Sequence, residues 1–172
     1  VIKKLRKSTH MGDAVTLFES KIKKIFQKKY GLMVNSGSSA LMLATNVLGF
    51  KKGDELGCPM SVAVIDAARD LVAFGKQDGA AQISIDLAMK KAFTAKSFNM
   101  PSDVVGSISS PGSPIYGIEG TDSRLVLFAG GIPLETSSGE VIGAIGVSGG
   151  PVDLDESVAQ AVIEHFEQIR EQ

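Results

Sequence analysis

Residues 125–150, LVLFAGGIPLETSSGEVIGAIGVSGG, constrain this chain more than any other stretch. Two short β-rich runs, 125–129 and 132–136, flank Gly130-Gly131, and a Ser-Ser-Gly turn leads into a third run, 141–147. Gly139 supplies the positive φ that a hairpin turn needs, and the runs around it are of strand length. Gly143 and Gly146 fall inside the third run, where a missing side chain marks a bulge or a backbone that something approaches closely. That neighbour is a ligand or a packed helix. The pattern predicts a sheet with a concavity beside its glycines, without naming the chemistry.

A chain of 172 residues is one domain with room for a small extra element, and 44% hydrophobic residues can bury a core. No run is long and apolar enough to cross a bilayer. The start, VIKKLRKSTHMGD, carries basic residues without an apolar run behind them, so no secretory signal is expected. A single cysteine, Cys58, rules out an internal disulfide and fits a reducing compartment, so the expected location is the cytoplasm. With no Trp, two Tyr and eight Phe, a stacking surface for nucleic acid is not expected. The net charge of −1 hides an asymmetry: residues 1–52 carry eleven Lys/Arg against Asp13 and Glu19, and the remainder is acidic. A basic arm, two segments of different origin, or mutual attraction of the halves would each produce it.

Along the chain, residues 1–12 read as a basic tail. A helix runs from Asp13 to Gly31, 32–34 form a short strand, and a second helix spans 39–48, with 51–54 as a turn. Strands at 61–65 and 71–74 make a hairpin through 66–70. A helix follows at 83–98, then a short one capped by Ser102. Residues 109–120, with two prolines and three glycines, form an ordered loop of the kind that is often functional. After the three runs of 125–147, a helix from Asp153 or Asp155 to the end shows Val158, Val162, Phe166 and Ile169 on one face. The order ββ–αα–βββ–α argues an α+β domain with an antiparallel sheet.

The runs LGCPMSVAVIDAARDLVAF, ISIDLAMKKAFTAKSF, FAGGIPL, GEVIGAIGVSGG and DESVAQA, in this order, closely resemble the GlcG/HbpS-like family. That family includes haem-degrading domains and the C-terminal domain of PduO proteins. The resemblance covers residues 56 to about 166. It implies a profilin-like five-stranded antiparallel sheet flanked by helices, assembly into homo-oligomers and, in some members, binding of haem or a related tetrapyrrole. The segment GDAVTLFESKIKKIFQKKYGLMVNSGSSALMLATNVLGFKKGDE instead resembles the start of DegT-type PLP-dependent sugar aminotransferases. There the NSG[ST]SA turn, here Gly37, Ser38 and Ser39, holds the cofactor phosphate at a helix N-terminus. The Schiff-base lysine and the acidic partner of the pyridine nitrogen come from later parts of that fold, which this chain leaves at Leu56, so PLP activity is not expected. The division is therefore 1–55, a basic helical N-terminal segment, and 56–172, the GlcG/HbpS-like domain. The helix at 39–48 would stand in for that domain's leading helix.

Lys91 and Thr94, in KKAFTA, match a family motif and share one helical face, where a cation and a hydroxyl could hold a ligand carboxylate. Equally, Lys91 could pair with Asp86 or Asp66, and Thr94 could bond back to the helix carbonyl. Gly130 and Gly131 are an anion nest or a bulge between strands. Ser110, Gly112 and Tyr116 could close over the same cavity, or simply shape the loop. A haem iron commonly takes an axial His. The chain has His10, in the tail, and His165, on the last helix; Tyr116, Met89 and Cys58 are other donors, and spacing selects none. No clustered metal ligands stand out. Asp153, Asp155 and Glu156 read as charges complementing a helix dipole. The readings open at this point are a small-ligand-binding domain, a small enzyme acting on a carboxylate metabolite, and a ligand-free structural or oligomerisation module.

Overall fold

The computed structural model describes residues 50–170. The basic tail, both expected N-terminal helices, the Gly37–Ser39 turn and His10 lie outside the described residues. Four strands form one antiparallel sheet: β1 (Ser61–Asp66), β2 (Leu71–Lys76), β3 (Gly131–Glu135) and β4 (Val141–Ser148), in the order β2-β1-β4-β3. Helices α1 (Ile83–Phe98), α2 (Ser102–Ile108) and α3 (Val152–Arg170) accompany it.

Alternation along the strands assigns the two faces. Val62 and Val64 of β1, Ile145 and Val147 of β4 and Leu134 of β3 bury against Val158, Ala159, Val162 and Phe166 of α3. Full burial of each such side chain stabilises by roughly 1.5–3 kcal/mol. On the opposite face Ile65 and Ala144 meet Ala92 and Ala95 of α1. Here small residues on both sides let the helix lie close to the sheet. Gly146 sets the limit, since a Cβ there would stand 2.0 Å from the Ala88 carbonyl oxygen. The close neighbour expected at Gly146 is thus a helix, and that at Gly143 is the β1 backbone at Ile65.

Two turns hold the hairpins. Asp66 Oδ1 accepts from the amides of Ala68 and Asp70, at 2.9 and 3.0 Å, and this Asx geometry sets Arg69 at φ 71°. Gly139 turns β3 into β4 at φ 81°.

The expected fifth strand, residues 125–129, is not one. Its backbone bonds are taken by helix side chains instead of a neighbouring strand. The Val126 amide donates to Thr94 Oγ1 at 2.9 Å, and the Phe128 carbonyl accepts from Ser102 Oγ at 2.8 Å. The segment is a strap tying α1 and α2 to the start of β3. Ser102 accordingly is not the cap of α2. It is the first residue of that helix, fully buried, and its hydroxyl also accepts the Gly131 amide at 3.0 Å. Residues 50–55 are helical where a turn was expected at 51–54, and Phe50 packs against the core on the α3 side.

Candidate functional site

Helix α1 presents three faces. Ala88, Ala92 and Ala95 look onto the sheet. Lys91 and Thr94 share a second face, as their spacing predicts, but the strap covers it. Both are fully buried. Thr94 Oγ1 donates to the Lys90 carbonyl at 2.9 Å and accepts from Val126. Lys91 Nζ lies 2.6 Å from Asp155 Oδ2, donates to the Val147 carbonyl at 3.0 Å, and sits 4.9 Å from the Phe128 ring centroid. Its partner is thus neither Asp86 nor Asp66. Burial pushes the Lys91 ammonium below its ordinary value, against the opposing pull of Asp155.

Asp155, read from sequence as a dipole charge, does stand in the first turn of α3, but it is 2% exposed and also accepts the Gly150 amide. Its position carried a usable signal: three, four and seven residues before Val158, Ala159 and Val162, it lies on the apolar stripe. Lys91 sits likewise between Ala88, Ala92 and Ala95.

Gly130 and Gly131 close this cluster. A Cβ on Gly130 (φ 111°) would come 2.9 Å from Lys91 Nζ, and one on Gly131 2.3 Å from the Lys91 carbonyl oxygen. The structure therefore brings Lys91, Thr94, Gly130 and Gly131 together, with the space beside the glycines filled by α1, Ser102 and Asp155. Ser110, Gly112 and Tyr116 are exposed, Tyr116 by 65%, in a loop of successive turns ending at Ile118–Gly120. Neither cavity described below is lined by these seven residues.

The third face of α1 carries Asp86, Met89, Lys90 and Phe93, one stripe at i, i+3, i+4 and i+7. It borders a partly open cavity of about 300 Å³, completed by Ile65 and Leu71 of the sheet and by Arg69 and Arg124. Three cations face one carboxylate over an apolar floor. Two of them flank the Phe93 ring, with Arg124 at 4.0 Å and Arg69 at 5.0 Å from the centroid. The Asp122 carboxylate fixes Arg124 through paired bonds of 2.7–3.2 Å, and those bonds hold the Asp122 carboxyl down at about 2. Arg69 reaches inward from its left-handed turn position, with its guanidinium 3.3 Å from Ser97 Oγ. Sequence reasoning missed this face. Its signal was the same helical spacing that singled out Lys91, read one face further round.

A second cavity, about 480 Å³, lies between the α1–α2 turn, β3 and α3; Glu135 and Glu167 line it, and no Lys or Arg does. Among the described residues no three His, Cys, Asp or Glu are placed to hold a metal, and no helix is long and apolar enough to cross a membrane.

Comparison with known proteins places this architecture. The sequence profile described as "Haem degrading protein HbpS-like" matches residues 38–164. The chain belongs to the HbpS-like family. Its first part, residues 2–66, also matches the DegT/DnrJ/EryC1/StrS aminotransferase family. Among HbpS-like relatives, the 15.0 kDa protein of the dhaT–dhaS intergenic region of Citrobacter freundii is 32% identical over 119 residues, 69% of this chain and 83% of that one. The corrinoid adenosyltransferase PduO of Salmonella typhimurium is 32% identical over 114 residues, 66% of this chain, and the match spans about a third (34%) of PduO. The crystal structure of Klebsiella pneumoniae ORFY superposes with a TM-score of 0.72 at 29% identity, covering 80% of this chain and 98% of that one. The PduOC:heme complex does so with 0.70 at 28%, covering 77% and 94%.

Proposed function

We propose that residues 56–172 form a small-ligand-binding domain that takes haem or a related tetrapyrrole at the outer face of α1. The observation that carries this is the cavity lined by Arg69, Lys90 and Arg124 over Ile65, Leu71 and Phe93. Cations at the rim of an apolar floor suit a ligand with carboxylates on a hydrophobic body. Kinship with a protein crystallised as a heme complex supports the ligand class.

The residues present fit the group. Arg69, Lys90 and Arg124 would receive its carboxylates, and Phe93, Ile65 and Leu71 its ring edge. Met89 would offer the iron of that group a thioether donor from the lining. Phe74, on the same side of β2 as Leu71 and exposed, extends the apolar floor beyond the cavity. When bound, the group would supply a redox-active iron; the chain's own residues bind and orient it. In this reading Lys91, Thr94, Gly130 and Gly131 act from behind, fixing α1 against the strap and α3. Ser110, Gly112 and Tyr116 contribute loop geometry. The carboxylate-enzyme alternative draws on Lys91 and Thr94 as open contacts, and both have their bonds within the protein.

Haemin titration followed by the Soret band tests the proposal. Wild type is expected to saturate, and Lys90→Ala combined with Arg69→Ala to weaken binding by about a hundredfold or more, at roughly 1.5–3 kcal/mol per charge-assisted contact. Glu167→Gln, in the second cavity, should leave it unchanged. Equal affinity in all three proteins would overturn the site.

A further inference from the structure

Arg124 reaches the cavity from residues 121–130, which belong to no helix or strand. A cation on such a segment is placed only as well as the segment itself. Its ionic partner Asp122 is two residues away on the same loop, so their paired bonds set the guanidinium against its own backbone and not against α1. They also engage Nε and Nη2 of Arg124, which leaves the Nη1 donors for a ligand carboxylate.

Two contacts tie this loop to α1, and they come from consecutive helix residues. The Arg124 guanidinium lies 4.0 Å from the Phe93 ring centroid, and the Val126 amide donates to Thr94 Oγ1 at 2.9 Å. Arg124 and Val126 are alternate residues, which an extended segment turns to the same side. Arg124 is exposed, so its stacking is the weaker hold. Thr94 is fully buried, so its bond is the firmer one, and an amide left unpaired there would be costly. The Thr94 hydroxyl has little freedom. Its proton goes to the Lys90 carbonyl at 2.9 Å, which leaves its lone pairs for Val126. From the other side α2 confines the next residue, because Gly106 leaves no room for a Cβ beside the Leu127 carbonyl.

We propose that Thr94 is a positioning residue for the ligand site: through the Val126 amide it holds Arg124 on Phe93, with Nη1 ready for a carboxylate. Thr94 touches no ligand in this arrangement. The hydroxyl acts through the strap, and its removal loosens Arg124 while leaving Arg69 and Lys90 in place. As part of a ligand site this role rests on the function proposed above; as a hold on Arg124 it rests on the strap alone.

Haemin titration of wild type, Thr94→Val, Arg124→Ala and the combined variant tests the role, with far-UV circular dichroism as the check on folding. Thr94→Val keeps the shape and loses the hydroxyl. It should weaken binding by about three- to tenfold, a share of the roughly tenfold to hundredfold that one charge-assisted contact is worth. With Arg124 already replaced by Ala, Thr94→Val should add no further loss, and Thr94→Ser should bind like wild type. An equal loss in both backgrounds, or Thr94→Val binding like wild type, would overturn the proposal. Thr94→Ala repeats the comparison should Thr94→Val fail to fold. The Arg124 Nε–H signal of nitrogen-15-labelled protein, identified by its absence in Arg124→Ala, gives a readout without haemin. Thr94→Val should move that signal away from its ring-shifted position over Phe93 and leave the Arg69 signal unmoved. An Arg124 signal unaffected by Thr94→Val would overturn the positioning role whether or not haemin binds, whereas wild type that fails to bind haemin, with the Arg124 signal displaced as expected, would overturn the function proposed above alone.

Discussion

Replacing Lys91 by Met removes one half of a buried ion pair and keeps most of the side-chain volume. Lys91 is 0% and Asp155 2% exposed, with 2.6 Å between Nζ and Oδ2, so no water stands ready to solvate the carboxylate left behind. Removing one partner of such a pair costs about 3–5 kcal/mol. The Val147 carbonyl also loses a donor, which adds roughly 1 kcal/mol. For a domain of this size the sum lowers the thermal midpoint by roughly 10 °C or more. Asp155→Asn alone strands the ammonium and should cost a similar amount. The double variant, K91M with D155N, leaves no buried charge and keeps an acceptor for the Gly150 amide, so it should cost far less than the two single changes added together. Urea unfolding of the four proteins, compared at constant m, gives the coupling energy. Single variants within about 1 kcal/mol of wild type, or costs that simply add, would refute the claim that Lys91 acts within the fold.

Gly146→Ala should destabilise by about 3 kcal/mol or more, because the new Cβ meets the backbone of α1 at Ala88 and Ala92; Gly120→Ala, which meets open space, serves as the control within about 0.5 kcal/mol by the same assay. Ser102→Ala strips the strap of its bridge and leaves the Gly131 amide unpaired, at a cost of about 1–3 kcal/mol, visible as faster amide exchange at residues 126–131. The Asp122 carboxyl is lowered to about 2 by its bonds from Arg124. Its contribution to stability is therefore complete above the unfolded value near 4 and is lost as pH falls through 2. Asp122→Asn should flatten that acid limb in unfolding curves taken from pH 5 to pH 2, and an unchanged slope would count against the pairing with Arg124.

Much of the fold was legible because it is written in local periodicity. The helix expected at 83–98 is α1 residue for residue, and β1, β2 and β4 start where alternation and turn residues place them. Residues 125–129 show the limit. Their β-rich composition is indistinguishable from a strand's, and what prevents a strand is the pair of distant hydroxyls of Thr94 and Ser102, which take up the backbone groups. The candidate site was legible in part. Sequence led to α1, but Lys91 and Asp155 are 64 residues apart, and no spacing rule links them. Arg69 and Arg124 reach the cavity from two loops, and they meet at Phe93 through tertiary packing alone. The glycines promised a close neighbour, and whether that neighbour was a ligand or a helix depended on where α1 came to rest.

The location of the ligand can be read directly from the methionine methyl signals of selectively labelled protein. Met89 lines the cationic cavity and Met100 the acidic one, while Met60 is buried in the core. On addition of haemin, whose ferric iron broadens nearby resonances, the Met89 methyl signal should disappear while those of Met100 and Met60 persist. Loss of the Met100 signal instead, or saturable binding that leaves Met89 sharp, would contradict a ligand seated on the outer face of α1.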